Sequence, residues 1–205
     1  MTSAQMTHYG FLLAAGLTIF AGCGGNEPNG VNEMSGATPQ AAAPGSTSAA
    51  GPMVHVTLAP TTGHKATGML MLSETADGVK VTGNITGLNP GSEHGFHVHE
   101  VGDCSAPDAS SAGDHFNPTA QAHGDPHGDT HHLGDMVNLA VNDGGQAEVD
   151  VTLEGLRLTG PADRSANDRA VVVHAQRDDY KTQPSGASGD RIACGVIRVD
   201  AVAVP

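Results

Sequence analysis

Tryptophan is absent from this 205-residue chain, and aromatic residues make up only 3% of it. That scarcity argues against a helical bundle with a large aromatic core. With 28 glycines and 12 prolines the composition fits short strands joined by tight turns. Basic residues are scarce too: nine Lys and Arg face 22 Asp and Glu, a formal net charge of −13. Phosphate recognition needs a basic surface, so nucleic acid is not an expected partner, and an anionic membrane cannot hold this chain by charge. Long apolar runs are missing as well. The stretch Phe11–Gly22 is twelve residues, too short to span a bilayer. Nowhere does a sustained 3.6-residue apolar period appear, so amphipathic helices are not the framework. The length suits one domain with extras.

The short apolar stretch has the dimensions of a signal-peptide core and runs into Phe20-Ala21-Gly22-Cys23. Small residues followed by cysteine resemble the lipobox of bacterial lipoproteins, whose cysteine is lipidated and becomes the first mature residue. The first ten residues contain no Lys or Arg, and Phe20 stands where leucine is usual. An ordinary secretory signal is the alternative, and both imply export. From Gly24 to Pro52 the chain is rich in Gly, Ala, Ser, Thr and Pro and too poor in apolar bulk to offset ordering entropy. The expected organisation is a signal peptide over 1–22, a lipidated Cys23 with a flexible linker over 23–52, and a folded domain over 53–205. Such a protein sits in the periplasm or cell envelope, tethered to the membrane through lipid.

Alternating or β-branched runs begin at Met53–Leu58 and recur near 66–72, 79–86, 94–99, 136–141, 147–153, 170–175 and 195–199. Turn signals separate them: Asp77-Gly78, Asn89-Pro90-Gly91 and Asp143-Gly144-Gly145. About eight antiparallel strands in a sandwich or barrel follow. One interruption, Gly102 to Asp135, is too long for a structureless loop unless function holds it.

That loop and its flanks concentrate ligand chemistry. His97-Val98-His99 lies on a predicted strand, so both imidazoles leave one face while Val98 leaves the other. His174 ends the apolar run 170–173. His132 and Asp135 are three residues apart, separated by Gly134, with His115 and His123 upstream. Four imidazoles suit copper; a nitrogen set completed by a carboxylate suits zinc. Spacing alone does not exclude His127 or His131, nor a disordered metal-scavenging tract. Cys104 and Cys194 flank the region as either free buried thiols or a disulfide. A disulfide there would close a loop of about 90 residues, worth about 4–5 kcal/mol in the chain-entropy view, and would need an oxidising compartment.

The segments Gly95–Glu100 (GFHVHE), Gly113–Pro118 (GDHFNP), His132–Asp135 (HLGD), Val171–His174 (VVVH) and Arg191–Val196 (RIACGV) resemble copper/zinc superoxide dismutase, in that family's order, over about residues 53–205. The resemblance implies an eight-stranded antiparallel Greek-key β-barrel or sandwich with a long metal-binding loop. It implies one copper held by His97, His99, His115 and His174, and one zinc held by His115, His123, His132 and Asp135, His115 bridging the two. Cys104 and Cys194 resemble the family's disulfide pair. Asp178 resembles the carboxylate that hydrogen-bonds His97 and His123, and Arg191 the guanidinium that receives the anionic substrate. The implied reaction turns two superoxide anions and two protons into dioxygen and hydrogen peroxide, with His115 carrying a proton. Monomers and homodimers both occur in the family. The segment 178–191 is short and lacks the Glu- and Lys-rich pattern of many animal members, and residues 102–135 contain no Lys or Arg, so weak long-range steering of substrate is expected. Two rivals exist: a non-catalytic copper- or zinc-binding protein on the same sandwich, which would lack His115 or Arg191, and a structural β-sandwich with surface histidines.

Overall fold

The computed structural model describes residues 51–199. The expected signal peptide, Cys23 and almost all of the linker lie outside the described residues. Nine strands run through the described residues: β1 (Met53–Pro60), β2 (Thr67–Glu74), β3 (Gly78–Thr86), β4 (Glu93–His94), β5 (Phe96–His99), β6 (Leu139–Ala140), β7 (Gln146–Glu154), β8 (Arg169–His174) and β9 (Arg191–Ile197). Helical structure among them is one 3-10 turn, Ser110–Ala112.

Seven strands form one antiparallel sheet in the order β5-β8-β9-β1-β2-β3-β7, and β4 pairs with β6 apart from it. β1 links two halves. Its residues 53–58 pair with β2, while Ala59 and Pro60 cross to Cys194 and Ala193 of β9. Two differences from the sequence expectation have local causes. The strand expected over 94–99 is broken at Gly95, where β4 ends and β5 begins. The strand expected over 136–141 contracts to Leu139–Ala140, because the Asn138 N–H donates to the Tyr180 hydroxyl (2.7 Å) instead of to a ladder.

The strands of one half alternate as period-2 amphipathic elements do. Val54, Val56 and Leu58 of β1, Leu70 and Leu72 of β2, Val81 and Ile85 of β3, and Ala147 and Val149 of β7 are buried. They share one core with Phe96, Val98, Val171, Val173 and Ile197 from the other half. There β5 and β8 are buried almost throughout, because their outer face is covered as well. The cover is the loop 102–135. Ala109 and Ala112 pack on Ala170, Val172 and Cys194, and Cys104 is disulfide-bonded to Cys194 with a sequence separation of 90. The loop thus has a small apolar foothold of its own.

Deeper in, two backbone bonds lace the loop to β5 and a third ties the loop to itself. The Val98 N–H donates to Gly134 O (2.8 Å), the Phe116 N–H to Val98 O (2.8 Å), and the Gly134 N–H to Phe116 O (2.9 Å). Phe116 is capped by Arg169, whose guanidinium carbon lies 4.1 Å from the ring centroid. This lacing sets His97 beside Asp135 and His99 beside His115 as isolated β-bridges. Gly134 is required by close approach: a Cβ there would lie 2.2 Å from Val98 O.

Two expectations follow. Gly134→Ala should destabilise the domain by about 1–3 kcal/mol, as forced overpacking does, and reduce retained metal, read by thermal denaturation and elemental analysis. Cys104→Ser should lower stability by about 2–5 kcal/mol in denaturant titrations. An unchanged midpoint in the second case would mean that the apolar foothold and the backbone lacing secure the loop without the disulfide.

Candidate metal centre

Three elements deliver the buried imidazoles. His97 and His99 leave the outer face of β5, paired in register with Val172 and Ala170 of β8. His174 ends β8, just past a register shift, and faces Arg191 across the β8–β9 ladder. His115, His123, His132 and Asp135 come from the loop. Ligand atoms of His97, His99, His115 and His174 lie within 4.8 Å of one another, and so do those of His115, His123, His132 and Asp135. His115 belongs to both sets.

Outer hydrogen bonds fix which nitrogen of each ring is free. In the first set His97 Nε2–H donates to Asp178 Oδ2 (2.7 Å), His99 Nδ1–H to Gly113 O (2.9 Å) and His174 Nδ1–H to Gly189 O (3.2 Å). That leaves His97 Nδ1, His99 Nε2 and His174 Nε2 as lone-pair donors, the last two 3.3 Å apart. His115 contributes Nε2 to this set. Its Nδ1 lies 2.8 Å from Asp135 Oδ1, on the side of the second set.

In that second set His123 Nε2–H donates to Asp178 Oδ1 (2.9 Å). His123 Nδ1 is 3.0 Å from Asp135 Oδ2, and His132 Nδ1 is 3.4 Å from Asp135 Oδ1. Neither contact has hydrogen-bond geometry. His97 Nδ1, His115 Nε2, His123 Nδ1 and His132 Nδ1 are buried without a hydrogen-bond partner. A buried unpaired nitrogen ordinarily costs about 1–3 kcal/mol, so four such atoms converging on two points need another partner. A cation at each point would satisfy them. The all-imidazole set has the chemistry of a copper site, and the three-nitrogen, one-carboxylate set that of a closed zinc site.

Protonation follows from burial. It pushes His97 down to about 4 and lowers His99, His115 and His174, so these rings are neutral ligands at neutral pH. Burial also lowers His123, but Asp135 and Asp178 on either side outweigh it and bring that ring up to about 9. Burial raises both carboxyls; their bonds to the histidines outweigh it and hold them well below the usual range.

Asp178 is fully buried, and its surroundings were not legible in the sequence. The Tyr180 N–H donates to Asp178 Oδ1 (2.6 Å), the Asn138 amide donates to Asp178 O (2.9 Å), and the Asp178 N–H donates to Asn138 Oδ1 (2.8 Å). Gln183 grips His123 by both its N–H and its C=O, each at 2.9 Å. Gly186 makes room: a Cβ there would lie 1.8 Å from Asp178 Oδ1. Buried His94 donates from Nδ1 to His174 O (2.7 Å). No spacing rule connects Asn138, Gln183 and His94 to the residues they hold, because those contacts are made across 40 or more positions.

Over the first set lies a cleft of about 360 Å³, whose lining includes His99, His115, His174, Asp114, Glu100 and Arg191. Arg191 is the one Lys or Arg of that lining, and it donates to Ala109 O and Gly113 O, both at 2.6 Å. Arg177 is engaged with Glu93 (2.8 Å), and Lys181 is not part of the lining. His127 and His131 belong to neither ligand set; His131 Nδ1–H donates to its neighbour's carbonyl, His132 O (2.8 Å).

Comparison with known proteins gives concordant results. The sequence model of the family described as copper/zinc superoxide dismutase (SODC) matches residues 66–197. Superoxide dismutase [Cu-Zn] 2 of Aquifex aeolicus (strain VF5) is 41% identical over 134 residues, 64% of this chain and 78% of that one. The crystal structure of a SOD-like protein from Bacillus subtilis is 37% identical, with a TM-score of 0.64 over 70% of this chain and 97% of that one. A double mutant of the same protein, with a tyrosine and a proline each replaced by histidine, is 40% identical over 70% of this chain and 96% of that one, also with a TM-score of 0.64.

Asp178→Ala should weaken zinc and copper retention together, each by about 10–100-fold, because it frees His97 and His123 at once. Competitive chelation of each metal measures this. Loss of one metal alone would show that the two sets are oriented independently.

Proposed function

The chain belongs to the copper/zinc superoxide dismutase family, and on that premise we propose that it dismutes superoxide, with copper held by His97, His99, His115 and His174 and zinc by His115, His123, His132 and Asp135. The observation that carries this reading is the pair of complete donor sets sharing His115, beside a cleft with one fixed guanidinium. Bound copper supplies one-electron redox chemistry, and bound zinc a redox-inert charge that keeps the loop closed.

The chain's own residues supply the rest. Two backbone carbonyls hold the Arg191 guanidinium at the cleft wall, where one charge in a half-buried setting attracts an anion more strongly than it would in bulk water. His115 has its Nδ1 beside Asp135 and its Nε2 unpaired, so Nε2, when its lone pair is not engaged by a cation, is the atom at which it would take a proton and hand it to the peroxide-level product. Covering the outer face of β5 with the loop keeps bulk water off the other imidazoles, which are nearly fully buried. A non-catalytic metal-binding protein on the same sandwich would lack His115 or Arg191; both are present here.

The same reading places the protein outside the cytoplasm, with the signal peptide removed and Cys23 lipidated. The apolar stretch before Cys23 supports it, and so does the Cys104–Cys194 disulfide, which persists in oxidising compartments.

Reconstituted protein should hold copper and zinc in near-equal amounts and accelerate superoxide decay; zinc alone, with no copper retained at micromolar protein, would defeat the reading. Arg191→Ala should lower kcat/KM by about tenfold or more, the scale on which local charge sets encounter rates. With −13 overall and Arg191 the one Lys or Arg of the cleft lining, kcat/KM should hold steady or rise slightly between roughly 0.01 and 0.2 M salt, where exposed charges are screened beyond about 10 Å. A several-fold fall over that range would show that steering by clustered basic residues outweighs net charge.

A further inference from the structure

The outer face of β1 and β2, separated in the sheet order from β8 and β5 by β9, carries an unusual set of side chains. The described residues contain four methionines, and only Met136 is in the core. Met53, Met69 and Met71 are exposed at 60%, 63% and 38%. Solvent-facing strand positions ordinarily take threonine or charged residues, whereas methionine serves as adaptable core filling. His55 is exposed on the same face.

Register brings these residues together. His55 of β1 pairs directly with Met71 of β2, Met69 pairs with Thr57, and Met53 pairs with Ser73. Met69 and Met53 are therefore the diagonal neighbours of the His55–Met71 pair on one face. Directly opposed residues have Cβ atoms about 4.5–5.5 Å apart and diagonal neighbours about 7–8 Å apart, within reach of methionine's three rotatable bonds. The flanking positions on β3, Thr82 opposite Met71 and Asn84 opposite Met69, are uncharged. Lys80, farther along β3, is paired with Asp150. No cation among these register neighbours repels another.

We propose that His55, Met69 and Met71, with Met53 at the margin, form a surface site for monovalent copper. Thioether sulfur and imidazole are the neutral, soft donors that Cu(I) prefers, whereas zinc and Cu(II) favour the nitrogen and carboxylate sets of the buried centre. The site is open and its ligands are single side chains on a rigid ladder, so the ion exchanges readily. Binding is a simple association with no change of oxidation state. It gives an exported chain a place to hold Cu(I) apart from the centre under the loop.

The test uses the full chain with Cys23→Ser, loaded with copper and zinc, carrying 13C-methyl methionine and kept under ascorbate. Cu(I) is diamagnetic, so titrating it as its weakly held acetonitrile complex, without oxygen, reports on each methyl group by NMR. The Met69 and Met71 methyls should shift and saturate at one added equivalent, with a dissociation constant of about 10 µM or tighter, while Met136 stays fixed. Met69→Leu/Met71→Leu conserves volume and should weaken this binding by at least about tenfold without moving the thermal midpoint appreciably. His55→Gln should weaken it as well. Unshifted Met69 and Met71 methyls, or saturation preserved in the double variant, would overturn the site. Because the readout is assigned methyl by methyl, copper entering the buried histidines is seen separately and neither outcome depends on superoxide activity.

Discussion

Asp178 has no exposed surface, and its two oxygens reach in opposite directions, to His97 on β5 and to His123 in the long loop. Each bond takes one ring nitrogen and leaves the other aimed inward. The carboxylate therefore does three things: it sets two tautomers, joins strand to loop, and places a negative charge beside His123, the ring that it and Asp135 hold toward the charged form. Its backbone neighbours hold it in turn, since the Asn138 side chain bonds both the N–H and the C=O of Asp178. Everything else about the centre presupposes that arrangement, because an imidazole rotated about its own axis presents the wrong atom.

Burial and charge are balanced around it. Removing seven ligand side chains from water is costly for any that carry charge, and the chain answers by keeping the strand imidazoles neutral and giving Asp135 three histidine contacts. The remaining imbalance is the four unpartnered nitrogens, which lie where the two donor sets converge. A protein core with so few aromatics has little apolar volume to spare for pinning a loop of this length. Disulfide and backbone lacing share that task with Ala109 and Ala112.

The chain is acidic overall, −13 in formal charge, whereas the cleft lining sets the one guanidinium of Arg191 beside Glu100 and Asp114. Arg191 faces His174 across β8–β9 and is tied to the carbonyls of the loop that the disulfide secures. Loop stability and the placement of the guanidinium are therefore coupled: the same Gly113 carbonyl that receives Arg191 also orients His99. A loop displaced at Cys104 would disturb a guanidinium and a metal donor together.

Much of this protein was legible along the chain. Period-2 alternation in residues 53–58 and 147–153 requires half-buried strands, and His97-Val98-His99 on such a strand must send both imidazoles to one side, because side chains alternate with the pleat. Composition excluded a helical core, and the ligand motifs with Arg191 indicated the family. Other features depended on the fold. Which nitrogen each histidine offers is settled by partners such as Gly113 O, Gly189 O and Asp178, which lie close in space without any fixed sequence spacing. The roles of Asn138, Tyr180, Gln183 and Gly186 are equally silent in one dimension. His127 and His131 could not be set aside by spacing, but neither joins a donor set. The meeting of His55 with Met71 arises from β-ladder register, in which a one-residue slip would have turned every one of these side chains into the core. Local pattern fixes which way a residue points relative to its own backbone. Only the packed chain fixes what it meets there.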